Sequence, residues 1–284
     1  MMLASGRKGS LILLVAVMVS QGGCGKTLQN FNLVSDGQEQ AMGQQFSKEI
    51  EQELKLYDDP EVVRYIDDLG QRLAAVSKRP NLTYQIKVVD TDDVNAFAVP
   101  GGYLYVNRGL ISHAENESEL AGVMGHEVGH IVGRHGSKQI SKQYGLQFIT
   151  AMLLGGGDPG MTRQIAAQFA GIGGTLGLLK YGREAEREAD TFAVQEMYDA
   201  GIDPVGMATF FEKLVALHGA PPSGFQALFS THPNPQERVD NARRLISRLE
   251  VKDSLKKDSK RFQRIKSRLP AIKRREAKDA SQGN

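Results

Sequence analysis

Residues 126–130 read His-Glu-Val-Gly-His, two histidines four residues apart with a glutamate directly after the first. On an α-helix, positions i and i+4 share one face, so His126 and His130 would point toward a single atom. Two neutral imidazoles in this arrangement suit Zn²⁺, which binds histidine nitrogen at about 2.0–2.1 Å. Glu127 would reach a metal-bound water as a general base without being a ligand itself. The pattern therefore predicts a zinc hydrolase; the alternative is a buried helix whose histidines are ordinary core groups.

A third protein ligand is needed, because catalytic zinc keeps three ligands and one open position. Glu186 and Asp190 lie four residues apart, and a helix would place both on one face. We predict that Glu186 binds the metal and that Asp190 accepts the second ring N–H of a ligand histidine. Glu184 and Glu188 are weaker alternatives, and Glu188 has Phe192 at i+4, which cannot orient a ligand. A solvated, charged helix face is the other interpretation.

The motif needs a helix, and its flanks supply one. Asn116 is a good N-cap, and Glu119 stands three residues later, as a capping box requires. The apolar positions that follow recur at helical spacing: Leu120, Val123, Met124 and Ile131. His135 is five residues beyond His130, about 140° around a helix, so we expect it off the metal face, in a structural or exposed position.

The elements before the motif predict a mostly helical α+β fold with a small sheet. One helix starts at Ser35, with Gln38 completing a capping box, and a second starts with Pro60 at its first position. Alternating apolar residues predict a strand over 83–89, and residues 95–107 read as a turn and a strand.

Four separated stretches resemble one family of enzymes. Besides H-E-x-x-H and the later E-x-x-x-D, they are Asn-Ala-Phe-Ala-Val-Pro-Gly-Gly at 95–102, and Ser-Thr-His-Pro at 230–233 with Glu237 and Arg238 after it. Together they are similar to the HtpX-like and BepA-like gluzincin zinc metallopeptidases, relatives of the C-a-a-X prenyl proteases. The likeness runs from about residue 38 to residue 249. It implies a mostly helical, minigluzincin-like zincin with a small mixed β-sheet beside the H-E-x-x-H helix.

The resemblance also implies roles for individual residues. One Zn²⁺ per chain would be bound by His126, His130 and Glu186, with Glu127 as the base and Asp190 as the carboxylate behind a ligand.

His232 is the histidine that in relatives faces the metal. It acts there as a transition-state donor or as a fourth ligand that closes the resting enzyme, and an ordinary loop histidine is the alternative. Arg238 is a second candidate donor. Replacing His232 separates the two roles, because a loss of activity indicates catalysis and a gain indicates closure.

An edge strand near the zinc pairs with extended substrate in gluzincins. By resemblance, the substrate-binding residues would be Ala98, Gly101, Gly102 and Tyr103, with affinity coming mainly from main-chain hydrogen bonds. An ordinary hairpin in the small sheet is the alternative.

The N-terminus has the pattern of a lipoprotein-type signal peptide over residues 1–23. A short basic region is followed by an apolar run over residues 11–19, too short to span a bilayer as a helix. Cys24, the only cysteine, is the predicted lipidation site, and Gly25 would by resemblance favour the outer membrane. A plain secretory signal with an incidental cysteine is the alternative. Residues 24–34 are a predicted flexible lead.

Length and composition fit a globular chain whose C-terminal segment is more basic than the rest. The 284 residues carry a net charge of +2, with 40% hydrophobic and 24% charged residues. We place the peptidase domain at 35–250 and a basic tail at 251–284, where twelve Lys and Arg face four Asp and Glu. We expect the tail to be a solvated helix followed by disorder, and its deletion to leave proteolysis intact. We expect residues 151–180 to form a packed helical insertion; a mobile lid or a membrane-touching hairpin over the cleft is the alternative.

The sequence thus predicts a zinc-dependent endopeptidase of the bacterial periplasm, anchored to the outer membrane through Cys24. By resemblance, its substrates are unfolded or misassembled envelope proteins, with no nucleic-acid partner. Two rivals are a chaperone-like zinc-binding scaffold with little proteolysis, and a basic-tail binding module with a vestigial site. The survival of biological function in a Glu127→Gln variant would favour the scaffold.

Overall fold

A computed structural model of the chain describes residues 32, 34–154, 158–170, 181–217, 224–232 and 234–270. Within these ranges the helices are α1 (Asp36–Glu53), α2 (Pro60–Ala75), α3 (Arg108–His113), α4 (Glu117–Val132), α5 (His135–Leu153), α6 (Pro159–Ala170), α7 (Arg183–Asp199), α8 (Val205–Ala216), α9 (Gln226–Thr231), α10 (Pro235–Ile246) and α11 (Lys260–Arg268). The strands are β1 (Gln85–Val89), β2 (Ala96–Val99) and β3 (Tyr103–Asn107). The predicted signal peptide and Cys24 lie outside the described residues.

The sheet is small and mixed, with the strand order β1-β3-β2. β3 runs parallel to β1 and antiparallel to β2, so β2 and β3 form a hairpin and β2 is an edge strand. This arrangement confirms the predicted α+β class, in which helices predominate.

The hairpin turn depends on two glycines. Gly101 and Gly102 have φ values of 83° and 97°, a region that residues with a Cβ rarely adopt. A Cβ at Gly101 would lie 2.7 Å from the Glu39 carbonyl oxygen, and one at Gly102 would lie 2.5 Å from that of Thr83. The close approach that the glycine pair permits is therefore to the protein's own backbone.

The helix that carries the histidine motif, α4, lies at the centre of the fold. It packs against α7 and α8 on one side and against β2 on another. Gly129 allows the contact with α7, because a Cβ there would lie 2.6 Å from the Ala189 carbonyl oxygen. Gly122 does the same toward α8, where a Cβ would lie 2.6 Å from the Met207 Cα. The two elements that carry the predicted ligands are thus brought into direct contact.

At the start of α4, which the structure describes in full, the predicted N-cap is confirmed, but the predicted reciprocal bond of the capping box is absent. The Asn116 Oδ1 accepts the Glu119 N–H at 3.1 Å, as expected of an N-cap. The Glu119 carboxylate accepts the N–H of Glu115 at 2.8 Å, not that of Asn116. The residues after Asn116 begin the helix in either case. The capping box of α1, between Ser35 and Gln38, is complete in both directions.

Two expectations about peripheral segments have different outcomes. Within the described part of residues 151–180, α6 packs on α1, with Phe169 and Phe46 ring centroids 5.7 Å apart, which agrees with a packed insertion. Residues 155–157 and 171–180 lie outside the described residues. The expected solvated helix of the tail is wrong for α11, because Phe262 and Ile265 are buried in the main core. The packed core therefore continues past residue 250.

Among the described helices, none combines the length and apolar character that crossing a membrane requires.

Candidate metal centre

Four side chains from three parts of the chain converge at one point. His126 and His130 come from α4, Glu186 from the first turn of α7, and His232 from the residue after α9. One donor atom from each lies within 4.8 Å of the donor atoms of the other three. The two Nε2 atoms of His126 and His130 are 2.9 Å apart, so their helical spacing does aim both at one position.

The third predicted ligand completes this arrangement. The Glu186 carboxylate oxygens lie 3.4 Å from the His126 Nε2 and 3.5 Å from the His130 Nε2. All of these side chains are buried. Imidazole nitrogen and carboxylate oxygen are the donors of catalytic zinc sites, so the residues present fit one Zn²⁺.

The protonation states suit a cation. Burial and the neighbouring His126 lower the pKa of His130 to about 3, which keeps its ring neutral with a free lone pair. Burial opposes ionisation of Glu186, but His232, His126 and His130 together hold its pKa well below the usual value. The site therefore presents the neutral imidazole of His130 and the ionised carboxylate of Glu186.

Glu127 is fixed by the edge strand. Its Oε2 accepts the main-chain N–H of Ala98 in β2 at 3.0 Å. Although burial opposes its charge, His232 and the two α4 histidines lower its pKa, so the side chain is an ionised acceptor. This is the state that a general base needs.

The same contact limits what Ala98 can offer to a substrate, because its N–H is already occupied. Gly101 and Gly102 are explained by the hairpin turn, and Tyr103 lies in the central strand β3. Substrate contact at these four positions stays a prediction.

His232 lies between the third ligand and the base. Its Nδ1 is 3.3 Å from both Glu186 oxygens and from the His126 Nε2, and its Nε2 is 3.2 Å from the Glu127 Oε1. Burial disfavours a charged ring, but Glu186 and Glu127 raise the pKa of His232 to about 9. The imidazole thus occupies the space between the carboxylates of Glu127 and Glu186. This placement agrees with the closing role, which stays a prediction.

Asp190 supports the site from behind. Its Oδ1 lies 3.0 Å from the His126 Nδ1 and accepts hydrogen bonds from Arg238 at 2.8 and 3.2 Å, and its Oδ2 accepts one from Asn241 at 3.2 Å. Arg238, a candidate transition-state donor from the sequence, is thus engaged with Asp190 and stacks on Phe211, 3.9 Å from the ring centroid. Sequence reasoning missed Asn241, which lies three residues after Arg238 on α10.

His135 takes the structural position of the two that the sequence left open for it. It stays out of the four-residue cluster, as expected, but it is buried and its Nδ1 lies 2.8 Å from the Nδ1 of His130. Its Nε2 lies 3.1 Å from a Glu188 carboxylate oxygen, a contact that the sequence analysis did not anticipate. His135 does not continue the α4 helix, because α4 ends at Val132 and Arg134, with φ 57°, turns the chain before α5 begins.

Tyr181 is a further residue without a sequence signal of its own. Its ring stacks on His130 with centroids 4.0 Å apart and planes at 22°. It lines two small cavities, one beside Glu186 and Arg238 and the other beside His130 and Ala98. Burial and the charges of Glu127 and Glu186 raise its phenol pKa well above the usual value, so the hydroxyl stays protonated.

Comparison with known proteins finds one matching peptidase family and several similar proteases. The sequence profile of peptidase family M48 matches residues 60–246. The chain is 31% identical over 224 residues to the beta-barrel assembly-enhancing protease of Escherichia coli K12, an alignment covering 74% of this chain and 44% of that protein. It is 29% identical over 217 residues to the mitochondrial metalloendopeptidase OMA1 of Arabidopsis thaliana, covering 76% and 42%.

A third relative is closer to this chain in length. The metalloprotease YcaL of Escherichia coli K12 is 31% identical over 184 residues, covering 63% of this chain and 70% of that protein. The chain therefore spans less than half the length of the first two relatives, and more than two thirds of the third.

Proposed function

The chain belongs to peptidase family M48, whose members use zinc, and from this premise we propose that it is a zinc-dependent endopeptidase. One observation carries the proposal. His126, His130, Glu186 and His232 converge within 4.8 Å, and the neighbouring Glu127 is an ionised carboxylate held by the Ala98 N–H. Of these, His126, His130 and Glu186 are the three ligands, and Glu127 is the base, that peptide hydrolysis at a zinc site requires.

The chain's own residues divide the work of the reaction. Zn²⁺, when bound, would polarise the scissile carbonyl and lower the pKa of water to about 7. Glu127 accepts the proton of the attacking water and delivers it to the leaving nitrogen. Asp190 fixes the ring of His126 through Nδ1. Before a water can reach Glu127, the ring of His232 must leave its position between Glu127 and Glu186.

The substrates that we propose are unfolded or misassembled envelope polypeptides. Support comes from the similarity to a bacterial protease whose name states that it enhances β-barrel assembly. The edge strand β2 beside Glu127 suits an extended chain, which would add to the sheet through main-chain hydrogen bonds.

We further propose that the protein is exported to the periplasm and anchored to the outer membrane through an acylated Cys24. Support comes from the basic start, the nine apolar residues at 11–19 and the single cysteine after Gly23. A Cys24→Ser variant should lose labelling by radioactive palmitate and leave the membrane fraction. Equal labelling of the variant and the native protein would contradict this proposal.

Replacing Glu127 by Gln tests the activity. We expect the variant to bind one zinc per chain, because Glu127 is not a ligand, and to lose about 10²–10⁴-fold in casein hydrolysis, because the base is gone. Zinc content and peptide release, each with and without a chelator, are the measurements. Glu184→Gln, an exposed change on α7, is the control.

The same variant tests the scaffold alternative. If Glu127→Gln still restores growth to a strain lacking the gene, hydrolysis is not the main function. If the native protein binds no zinc, the peptidase proposal itself is wrong.

A further inference from the structure

The two histidines of α4 are supported from behind in different ways. The His126 Nδ1 lies 3.0 Å from the carboxylate of Asp190. The His130 Nδ1 faces the ring of His135 at 2.8 Å, and the far nitrogen of that ring, Nε2, lies 3.1 Å from Glu188. Each Nε2 that faces the metal position thus has a carboxylate behind it, directly for His126 and through a second imidazole for His130.

We propose that His135 and Glu188 are positioning residues that fix the tautomer and the ring orientation of His130. The inference rests on the proposed zinc centre, but it concerns the contacts of His135 with His130 and Glu188, and neither His135 nor Glu188 is a proposed ligand. A hydrogen-bonded partner on the outer nitrogen of a ligand histidine typically changes metal affinity 10–100-fold.

The order of the contacts determines the tautomers. A carboxylate only accepts, so Glu188 requires a proton on the His135 Nε2. A neutral His135 then has a lone pair on Nδ1, and this lone pair requires a proton on the His130 Nδ1. The His130 Nε2 is left without a proton, 2.9 Å from the His126 Nε2, where a ligand lone pair is needed. Three residues thus specify one protonation pattern from the surface inward.

The backbone is shaped to bring His135 to this position. A Cβ on Gly133 would lie 2.4 Å from the His135 Nε2, so glycine leaves the space that the ring occupies. Arg134 adopts φ 57°, which is uncommon for a residue with a Cβ, and its side chain donates to the buried Glu39 at 3.0 Å. The turn between α4 and α5 is therefore held by its own ion pair, and it directs His135 back onto His130.

Tyr181 closes the remaining side. It stacks on His130 at 4.0 Å between centroids, while His135 meets the same ring edge-on at 4.9 Å with planes at 75°. The stack limits tilting of the His130 ring, and the hydrogen bond to His135 limits its rotation. Neither restraint comes from the metal ligands.

The test measures metal binding in four variants of the full chain. His135→Leu removes the acceptor for the His130 N–H, whereas the amide oxygen of His135→Gln replaces it. Glu188→Gln removes the carboxylate at the end of the relay, and Glu184→Gln, exposed on the same helix, is the matched control. Zinc affinity is measured by competition with a chromophoric chelator, and ligand geometry by the visible spectrum of the Co²⁺-substituted protein.

We expect His135→Leu to weaken zinc binding about 10–100-fold and to change the Co²⁺ spectrum, and His135→Gln to recover most of the affinity. Glu188→Gln should weaken binding about tenfold, with the melting temperature of the metal-free protein close to that of Glu184→Gln. A purely structural role for His135 would lower the melting temperature of both His135 variants and leave the Co²⁺ spectrum unchanged.

Two further outcomes separate the relay from the zinc centre. If the native protein binds zinc and the Leu and Gln variants bind it equally well, the relay is wrong and the metal centre stands. If the native protein binds no zinc, both fail. Should His135→Leu not fold, Glu188→Gln decides, because its side chain is 47% exposed and its loss leaves no cavity.

Discussion

At the scale of single residues, the position of His232 separates the two roles predicted for it. His232 contacts the base Glu127 and the ligand Glu186 with its two nitrogens, at 3.2 and 3.3 Å. A ring in this position and an attacking water exclude each other. The contacts favour the closing role over the donor role, because a donor would have to approach the substrate carbonyl from a position outside the ligand set.

Replacing His232 by Ala should therefore raise the rate of casein hydrolysis. If the closed state is occupied about 90% of the time, its removal raises the rate about tenfold. Initial rates at saturating zinc, measured beside the native protein, are the test. A fall in rate with zinc content unchanged would instead assign His232 as the transition-state donor. Ser230→Ala, an exposed change on α9, is the control.

Glu196 is a buried residue that the proposed reaction does not use. It lies on α7 with 2% of its surface exposed, and among the described residues neither carboxylate oxygen has a hydrogen-bond partner. Burial alone raises its pKa well above the ordinary 4.5. Above about pH 4.5 the unfolded chain releases the Glu196 proton, whereas the folded protein retains it. The contribution of Glu196 to the free energy of unfolding therefore decreases as the pH rises above about 4.5.

Glu196→Gln should consequently melt like the native protein near pH 4 and at a higher temperature at pH 8. A gain of 1 kcal/mol corresponds to about 2–4 °C in a domain of this size. Thermal unfolding at both values of pH gives the comparison, with Glu184→Gln on the same helix as the control. An equal shift at the two pH values would show that Glu196 is not protonated in the folded state.

At the scale of elements, the metal position is set by how closely α4 and α7 approach. The two glycines on this face of α4 differ in their surroundings. A Cβ on Gly129 would lie 2.6 Å from the Ala189 carbonyl oxygen, whereas one on Gly125 would lie 3.5 Å from the nearest atoms of Ala193. The first distance requires the helices to separate, and the second is an ordinary contact.

Gly129→Ala should therefore destabilise the fold by about 1–3 kcal/mol and weaken zinc binding, because Glu186 moves away with α7. Gly125→Ala is the matched control, and it should be neutral or stabilising by up to about 1 kcal/mol through helix propensity. Urea unfolding and zinc titration measure the two effects. Equal behaviour of the two variants would contradict the helix-approach argument.

At the scale of the whole molecule, the segment before and within α11 ties the start of the metal helix to the core. The Lys257 carbonyl accepts the Ser118 N–H at 2.9 Å, and the Asp258 carboxylate accepts the Glu117 N–H at 3.0 Å. These bonds satisfy N–H groups of the first turn of α4, which have no partner within the helix itself. Residues just before α11 thus cap the start of the helix that carries His126.

This packing changes the expected result of deleting residues 251–284, because the deletion removes part of the core as well as the basic tail. Phe262→Ala is the sharper test: truncating this fully buried ring should cost about 3–5 kcal/mol and lower proteolysis at temperatures near the melting point. Arg264→Ala, exposed on the same helix, should change stability by less than about 0.5 kcal/mol. Similar melting of both variants would restore the view of a dispensable tail.

Local signals in the sequence were sufficient for the elements and for the candidate ligands. The i, i+4 spacing of His126 and His130 and the Asn116 cap depend only on helix geometry, which neighbouring residues specify by themselves. The mixed α+β class followed from the change of apolar period before the motif. The E-x-x-x-D spacing identified Glu186 and Asp190 for the same reason.

Tertiary structure alone decided which groups meet once the chain leaves a helix. His135 reached His130 because Arg134 turns the backbone, and Asn241 reached Asp190 because α10 packs on α7. Phe262 is buried because α11 packs on α2, where its ring centroid lies 6.2 Å from that of Tyr65. Spacing along the chain predicts contacts within one regular element. A turn with left-handed φ, or a contact between helices distant in sequence, depends instead on tertiary packing, which a local sequence pattern does not specify.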